Sequence, residues 1–266
     1  MRIVHPSMTR RDVARSVAAA ALVTHPVRFI RYETVSLAGP RAVTYSLTRR
    51  GASAVIRHGS RDIDRLLDVF GRGLYSLPDP QRAALARGQA RILDLGAGPG
   101  LTALGLLLQC PDATVVSVEP DPINALILRR TMAANLRFAG WSEIVGAVGE
   151  GEYLRGPGYG RFGPGVTDDA RREHATSLEG FALLSGADLA VLNIQGAEWR
   201  LLSDPRFADS APPALILEPH RRGAPPGDPV QTAGRLLSEL GYRLIIRRKG
   251  RRGNAILFGW RAGPPR

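Results

Sequence analysis

Arg91-Ile92-Leu93-Asp94-Leu95-Gly96-Ala97-Gly98-Pro99-Gly100 is the stretch that decides how the rest of the chain is read. Its first half is a short apolar run ended by a turn signal, the pattern of a strand buried on both faces. Its second half places glycine at every other position and leads directly into Leu101-Thr102-Ala103-Leu104, the opening of a helix. Glycine admits positive φ and lets a ligand approach the backbone. A helix N-terminus adds unpaired N–H groups and positive potential. Strand, glycine elbow and helix in that order make a seat for a nucleotide-like ligand.

Downstream, strands and helices alternate. Residues 113–119, 143–148, 188–193 and 214–218 read as buried strands, and residues 101–110, 122–138 and 229–240 as helices, with Ile123, Leu126, Ile127 and Leu136 expected on one face of the second. Residues 242–247 and 254–260, joined by the basic turn 248–253, read as an antiparallel hairpin closing the sheet. The pattern predicts an α/β, Rossmann-like, seven-stranded sheet with helices on both faces. Upstream, residues 27–32, 42–47 and 54–57 alternate in short runs and predict an antiparallel meander, followed by a helix over 62–75. Residues 1–25 read as an amphipathic helix or a frayed terminus rather than a signal peptide, because Arg15 interrupts any apolar leader. The expected division is a basic N-terminal extension over 1–85 and a ligand-binding domain over 86–266.

Composition narrows the class. The chain has 266 residues and a net charge of +12, carried by 35 arginines and a single lysine, Lys249. Residues 1–90 and 221–266 each carry a net +9, and residues 91–220 a net −6. Basic flanks suit an anionic acceptor or a nucleic acid; an arginine-for-lysine bias in the genome gives the same excess without selection for binding. One cysteine, Cys110, excludes a disulfide framework and a cysteine-cluster metal site. No apolar run approaches the ~20 residues of a membrane span, so a cytoplasmic protein with no membrane partner is expected. Residues 149–165, rich in Gly and Pro with Tyr153, Tyr159 and Phe162, read as a lid or a plain insertion. His174 reads as solvated, Trp141 and Trp199 as packing, and Cys110 as core.

Two carboxylates sharpen the ligand. Glu119 closes the second strand 19 residues beyond Gly100, where it can accept both hydroxyls of a ribose. Asp94 heads the glycine turn. Pyrophosphate wants a helix dipole and no nearby carboxylate, whereas an α-ammonium and a sulfonium favour one, so the pair points to S-adenosyl-L-methionine. Asp94 as a mere turn cap is the bland alternative. The expected cofactor-binding residues are Asp94, Gly96, Ala97, Gly98, Gly100, Glu119 and Pro120. Ala147, at the end of the third strand, is expected beside adenine, and Asn193 at the end of the fourth beside the cofactor or its acceptor.

The glycine motif, Val118-Glu119-Pro120-Asp121, Thr176-Ser177-Leu178-Glu179, Asn193-Ile194-Gln195-Gly196-Ala197-Glu198-Trp199 and Leu217-Glu218-Pro219-His220 together resemble the FkbM family of methyltransferases. The run from Arg57-His58-Gly59-Ser60-Arg61-Asp62 to Tyr75 resembles that family's entry segment, so the likeness extends over roughly residues 28–220. It implies a class I methyltransferase fold and methyl transfer, usually to a hydroxyl of a sugar or natural product. The chain departs from the family where Asn193 and Gln195 replace two acids and Val191 replaces a lysine. Amides without a partner acid are a poor cage for a hard cation, so no metal is expected. His220 is the first candidate base, since neutral imidazole accepts a proton near neutral pH, and Glu198 the second. Two alternatives stand beside small-molecule O-methylation: a nucleic-acid methyltransferase, from the basic flanks, and a non-catalytic cofactor-binding homologue, from the lost acids.

Overall fold

The computed structural model describes residues 9–34, 42–48, 50–148, 153–154, 172–173, 177–248 and 255–261. The chain begins with α1 (Arg10–Ala20), whose N-cap Thr9 forms a reciprocal capping box with Asp12. It continues through α2 (Pro26–Thr34), the antiparallel hairpin β1 (Ala42–Ser46) and β2 (Ser53–Arg57), and α3 (Asp62–Leu66), which runs on into a π-helical turn over Leu67–Gly71. After α4 (Asp79–Ala86) come β3 (Arg91–Leu95), α5 (Leu101–Leu107), β4 (Thr114–Glu119), α6 (Pro122–Ala133) and β5 (Trp141–Val145). The remainder is α7 (Gly180–Leu184), β6 (Leu189–Leu192), α8 (Glu198–Ser203), α9 (Arg206–Ser210), β7 (Ala214–Leu217), α10 (Pro229–Glu239), β8 (Tyr242–Arg248) and β9 (Ala255–Arg261).

β3 to β9 form one seven-stranded sheet in the order β8-β9-β7-β6-β3-β4-β5. Only β9 runs against its neighbours. This is the class I methyltransferase arrangement of a Rossmann-like sheet. Chain order reverses between β3 and β6, so the crevice at their carboxyl ends is the place where such sheets bind ligands. Strand side chains alternate between two buried layers. Ile92, Val115, Val191 and Ile216 face one core, shared with Phe29, Ile63, Leu66, Leu101 and Leu104; Leu93, Leu95, Leu192 and Leu215 face the other, shared with Leu184, Trp199, Phe207 and Leu237. Residues from α1, α2, the hairpin and α3 therefore pack into the same layer as α5. Continuing the alternation puts Asp94, Asn193 and Glu218 at the carboxyl ends on that same side.

Three expectations are corrected. Residues 27–32 are helical, not a strand. Pro26 suits a first helical position, where its missing N–H costs nothing. Phe29, Tyr32 and Glu33, spaced by three and four, then converge on buried His58: the Phe29 and Tyr32 rings stand 4.9 and 5.6 Å from its ring, and Glu33 Oε2 lies 3.0 Å from His58 Nδ1. The meander is thus a two-stranded hairpin beside a helix. In α6 the buried residues are Asn124, Ile127, Leu128 and Thr131, while Ile123, Leu126 and the later Leu136 are exposed. The cap sets this phase: Asp121 accepts from Asn124 N at 2.8 Å, which turns the Asn124 amide toward Glu119. The third strand stops at Val145, and Ala147 leaves the sheet to pair in parallel with Ser177.

Besides its apolar packing, the hairpin is held to the segment after α6 by the Asn135 amide. Asn135, beyond α6, accepts from Ser53 N at 2.9 Å and donates to Ser53 O at 2.6 Å. Most of the 149–165 segment, His174 and the turn residues 249–253 lie outside the described residues. No helix among the described residues is long and apolar enough to cross a membrane.

Candidate functional site

The glycine elbow is shaped by its neighbours. Gly96 has φ +80°, and a Cβ there would sit 2.0 Å from the carbonyl oxygen of Asn193, so the turn is pressed against the end of β6. At Gly98, with φ +57°, a Cβ would meet nothing within 4 Å. Gly96 is therefore demanded by packing inside the protein, whereas Gly98 borders open space. Gly100 backs onto Leu128 and Trp141, and Ala97 is buried.

Glu119 is buried and braces this turn. Its Oε2 accepts from Gly98 N at 2.7 Å; its Oε1 accepts from Asp121 N at 3.0 Å and Asn124 Nδ2 at 3.1 Å. Burial raises its carboxyl above the usual range, against these hydrogen bonds. Two oxygens offer about four acceptor positions, and three are used. The capacity left is on Oε2, the atom facing Gly98. Pro120, half-buried, follows it.

Asp94 is 1% exposed; neither of its oxygens meets a partner at full hydrogen-bond geometry, and the Ala103 backbone N–H in the first turn of α5 is the one group that acts on its carboxyl as a donor. Burial pushes its carboxyl up to about 7, against the pull of the Arg65 guanidinium and with a further push from Glu119. A buried carboxylate so poorly partnered is costly. Here it lies at the strand end that leads into the glycine turn.

Across β6 a second group forms. Asn193 is buried, and its N–H donates to Leu95 O at 3.0 Å. Gln195 follows with φ +55°, a left-handed conformation rare outside glycine. Its side-chain amide reaches Asn193 Oδ1 at 3.4 Å and His220 Nε2 at 3.0 Å. Glu198, fully buried at the start of α8, accepts from Gly196 N at 2.8 Å through Oε2. Its Oε1 lies 2.8 Å from His220 N and 2.9 Å from His220 Nδ1. An acceptor carboxylate on Nδ1 fixes the tautomer: Nδ1 carries the proton and Nε2 keeps its lone pair. Trp199 Nε1 donates to His220 O at 2.8 Å and holds the loop from behind.

The structure thus brings Asp94, Gly96, Gly98 and Glu119 together on one side, and Asn193, Glu198 and His220 on the other, joined by the Gly96–Asn193 contact. Ala147, buried beyond the end of β5, contacts neither group by hydrogen bond. Glu198 lies against the Nδ1 side of His220. Sequence reading set Glu218 at a strand end beside the site but missed Arg65 and Tyr75, which meet it there. Their signal was present in the entry segment 57–75, read only as a likeness. It also took Gln195 as a lost acid and not as a contact to His220. Among the described residues, no group of three or more His, Cys, Asp or Glu is placed to hold a metal ion.

No family model matches the chain. A stretch of 54 residues, 20% of the chain, is 48% identical to the type II methyltransferase M.XamI of Xanthomonas campestris pv. amaranthicola, of which it spans one tenth. Solved structures with similar folds include M. jannaschii TYW2 in complex with AdoMet (12% identity, TM-score 0.43, 85% of this chain and 88% of that one). Others are the precorrin-6y C5,15-methyltransferase of Geobacter metallireducens GS-15 (13%, 0.40, 71% and 90%) and an O-methyltransferase family protein from Burkholderia thailandensis (15%, 0.44, 76% and 60%).

Proposed function

We propose that this chain is an S-adenosylmethionine-dependent methyltransferase of the FkbM type that methylates a hydroxyl of a small molecule, a sugar or natural product. The observation that carries the cofactor reading is Asp94, a fully buried carboxyl with no cationic hydrogen-bond partner and only the Ala103 N–H acting on it as a donor, beside a glycine turn whose Gly98 borders open space. A cationic amino-acid tail supplies the charged partner that Asp94 lacks. The remaining acceptor capacity of Glu119 suits a ribose hydroxyl, and the open space beside Gly98 suits close approach of a ligand to the backbone. These residues fit S-adenosylmethionine, which when bound supplies a methyl group on a positively charged sulfur.

The chain's own part in the reaction is positioning and proton removal. Holding nucleophile and electrophile in line at ~3 Å supplies much of the acceleration in such a displacement. Glu198 holds the His220 ring and its tautomer, which leaves Nε2 as the proton acceptor. Nε2 now faces the amide of Gln195. Gln195 is exposed, so its side chain can swing aside and yield that lone pair to an acceptor hydroxyl. Positive charge on His220 after proton uptake is stabilised by Glu198 at 2.9 Å. Arg221 and Arg222, exposed beside His220, favour an anionic acceptor.

The division of the chain into an extension over 1–85 and a cofactor-binding domain over 86–266 belongs to the same proposal. The nucleic-acid alternative loses support because many flank arginines are engaged internally: Arg15 with Asp64, Arg57 with Asp62, Arg72 with Asp68, and Arg65 with Glu218. Calorimetry with S-adenosylmethionine tests the base of the proposal. Binding in the micromolar range is expected, and no heat at millimolar ligand removes it. Labelled cofactor with a panel of hydroxylated acceptors, anionic ones included, then tests transfer. Cofactor binding with no transfer to any acceptor would favour the non-catalytic reading.

A further inference from the structure

Two segments distant in sequence meet at the carboxyl end of β7. Arg65, in α3, and Tyr75, beyond the π-helical turn, converge on Glu218, the residue after β7. Arg65 Nη1 lies 3.3 Å from Glu218 Oε2 and also donates to the Tyr75 hydroxyl. Tyr75 donates to the same Glu218 oxygen at 2.8 Å. The guanidinium stands 5.2 Å from the Tyr75 ring centroid, which adds a cation–π contact. Burial raises the Tyr75 phenol well above its usual range, so it remains a donor. From the far edge of the sheet, Arg247 Nη1 donates to the carbonyls of Leu74 and Ser76, on either side of Tyr75. The Tyr75 backbone is thereby pinned.

This is more machinery than one ion pair needs. Guanidinium offers five N–H donors in a flat fork. Among the described residues, the side-chain hydrogen bonds of Arg65 run through Nη1, which leaves Nε and Nη2 for a further acceptor. The same guanidinium acts electrostatically on Asp94, which lies on the same side of the sheet ends as Glu218 and has no hydrogen bond to a charged group. An acid without a charged hydrogen-bond partner and a partly spent guanidinium close together match a zwitterion, with ammonium on one and carboxylate on the other.

We infer that the N-terminal extension completes the cofactor site: Arg65, oriented by Tyr75 and Glu218, binds the α-carboxylate of the cofactor's amino-acid tail while Asp94 binds its α-ammonium. This rests on the S-adenosylmethionine reading and goes beyond it by assigning a carboxylate-binding residue from outside the Rossmann-like domain. Asp94 is 1% exposed in this structure, so side chains around it shift when the tail reaches it.

The test uses two ligands that differ only in that carboxylate: S-adenosylmethionine and its decarboxylated form. The wild-type chain is expected to prefer the carboxylate-bearing ligand by ~10–100-fold, the range of one charge-assisted pair. Arg65→Met should abolish that preference and leave affinity for the decarboxylated ligand within about threefold, which also shows that the variant is folded. If Arg65→Met proves unfolded, Arg65→Lys decides, because it keeps the charge without the fork and should lose part of the preference, ~3–10-fold. A wild type that binds both ligands equally, or a folded Arg65 variant with full wild-type preference, overturns the assignment. A wild type that binds neither ligand overturns the cofactor reading beneath it.

Discussion

The two halves of the site are built on opposite principles. Around His220 each polar atom that positions the ring has a partner: Glu198 receives three N–H groups, and the imidazole is held at both nitrogens. Around Asp94 the reverse holds: a buried acid has no close hydrogen bond and only the Ala103 N–H acting on it as a donor, and a neighbouring buried acid, Glu119, has its carboxyl raised by burial. A satisfied network fixes a geometry that must not move. An unsatisfied one stores a cost that a ligand of opposite charge relieves. The first half is therefore suited to chemistry, and the second to binding.

The largest effect expected from breaking this contrast is at His220. His220→Ala should lower turnover by ~10²–10⁴-fold, the usual contribution of general base catalysis, and leave cofactor affinity unchanged by calorimetry. Normal turnover in that variant would move the base elsewhere. Next comes Asp94→Asn, which should weaken S-adenosylmethionine binding by ~10–100-fold, the loss of one charge-assisted contact, with little change in the rate at saturating cofactor. Equal losses of affinity in both variants would dissolve the division between the halves.

The sequence made much of the binding half legible and little of what covers it. The glycine elbow, Asp94 and Glu119 are local signals, since strand, turn and helix are contiguous and the second acid falls at a fixed distance. The sheet was legible for the same reason: each buried strand announces itself within its own few residues. Arg65 and Tyr75 were not, because Glu218 lies 153 and 143 residues away from them and nothing local shows that they meet. Gln195 looked like a loss for a related reason: an amide in place of an acid signals a missing charge, and only its position beside His220 reveals a contact. The helix over Pro26–Thr34 was misread because Val27-Arg28-Phe29-Ile30-Arg31 alternates like a strand, and the target that selects the helical face, His58, lies two elements further on.

Stability sharpens the contrast further. Asp94 holds its proton in the folded chain up to about pH 7, whereas an unfolded aspartate releases it near 3.8. Between these values the folded state binds the extra proton, so stability without ligand falls as pH rises through that window and stays low above it. Asp94→Asn removes this term. The variant should melt at higher temperature than wild type at pH 8, by an amount on the order of a few kcal/mol in stability, with the two curves converging near pH 4. Scanning calorimetry without ligand checks this. A wild-type melting temperature that does not decline from pH 5 to 8 faster than that of Asp94→Asn would show that the buried acid is not strained.

The smallest effect concerns the joint between hairpin and sheet, where the polar groups are again fully matched. Asn135 satisfies both the N–H and the C=O of Ser53. Asn135→Ala should cost ~1–3 kcal/mol, since it leaves backbone groups at a part-buried joint without partners. If the hairpin only packs against the sheet, cofactor affinity measured well below the melting temperature stays at the wild-type value. If it carries strain to Arg57 and on to the α3 segment, affinity falls together with stability. The position of Ser53 at the start of β2, with Arg57 at its end held by Asp62 of α3 at 2.7 Å, makes the second outcome the expected one, with a modest loss of about two- to fivefold.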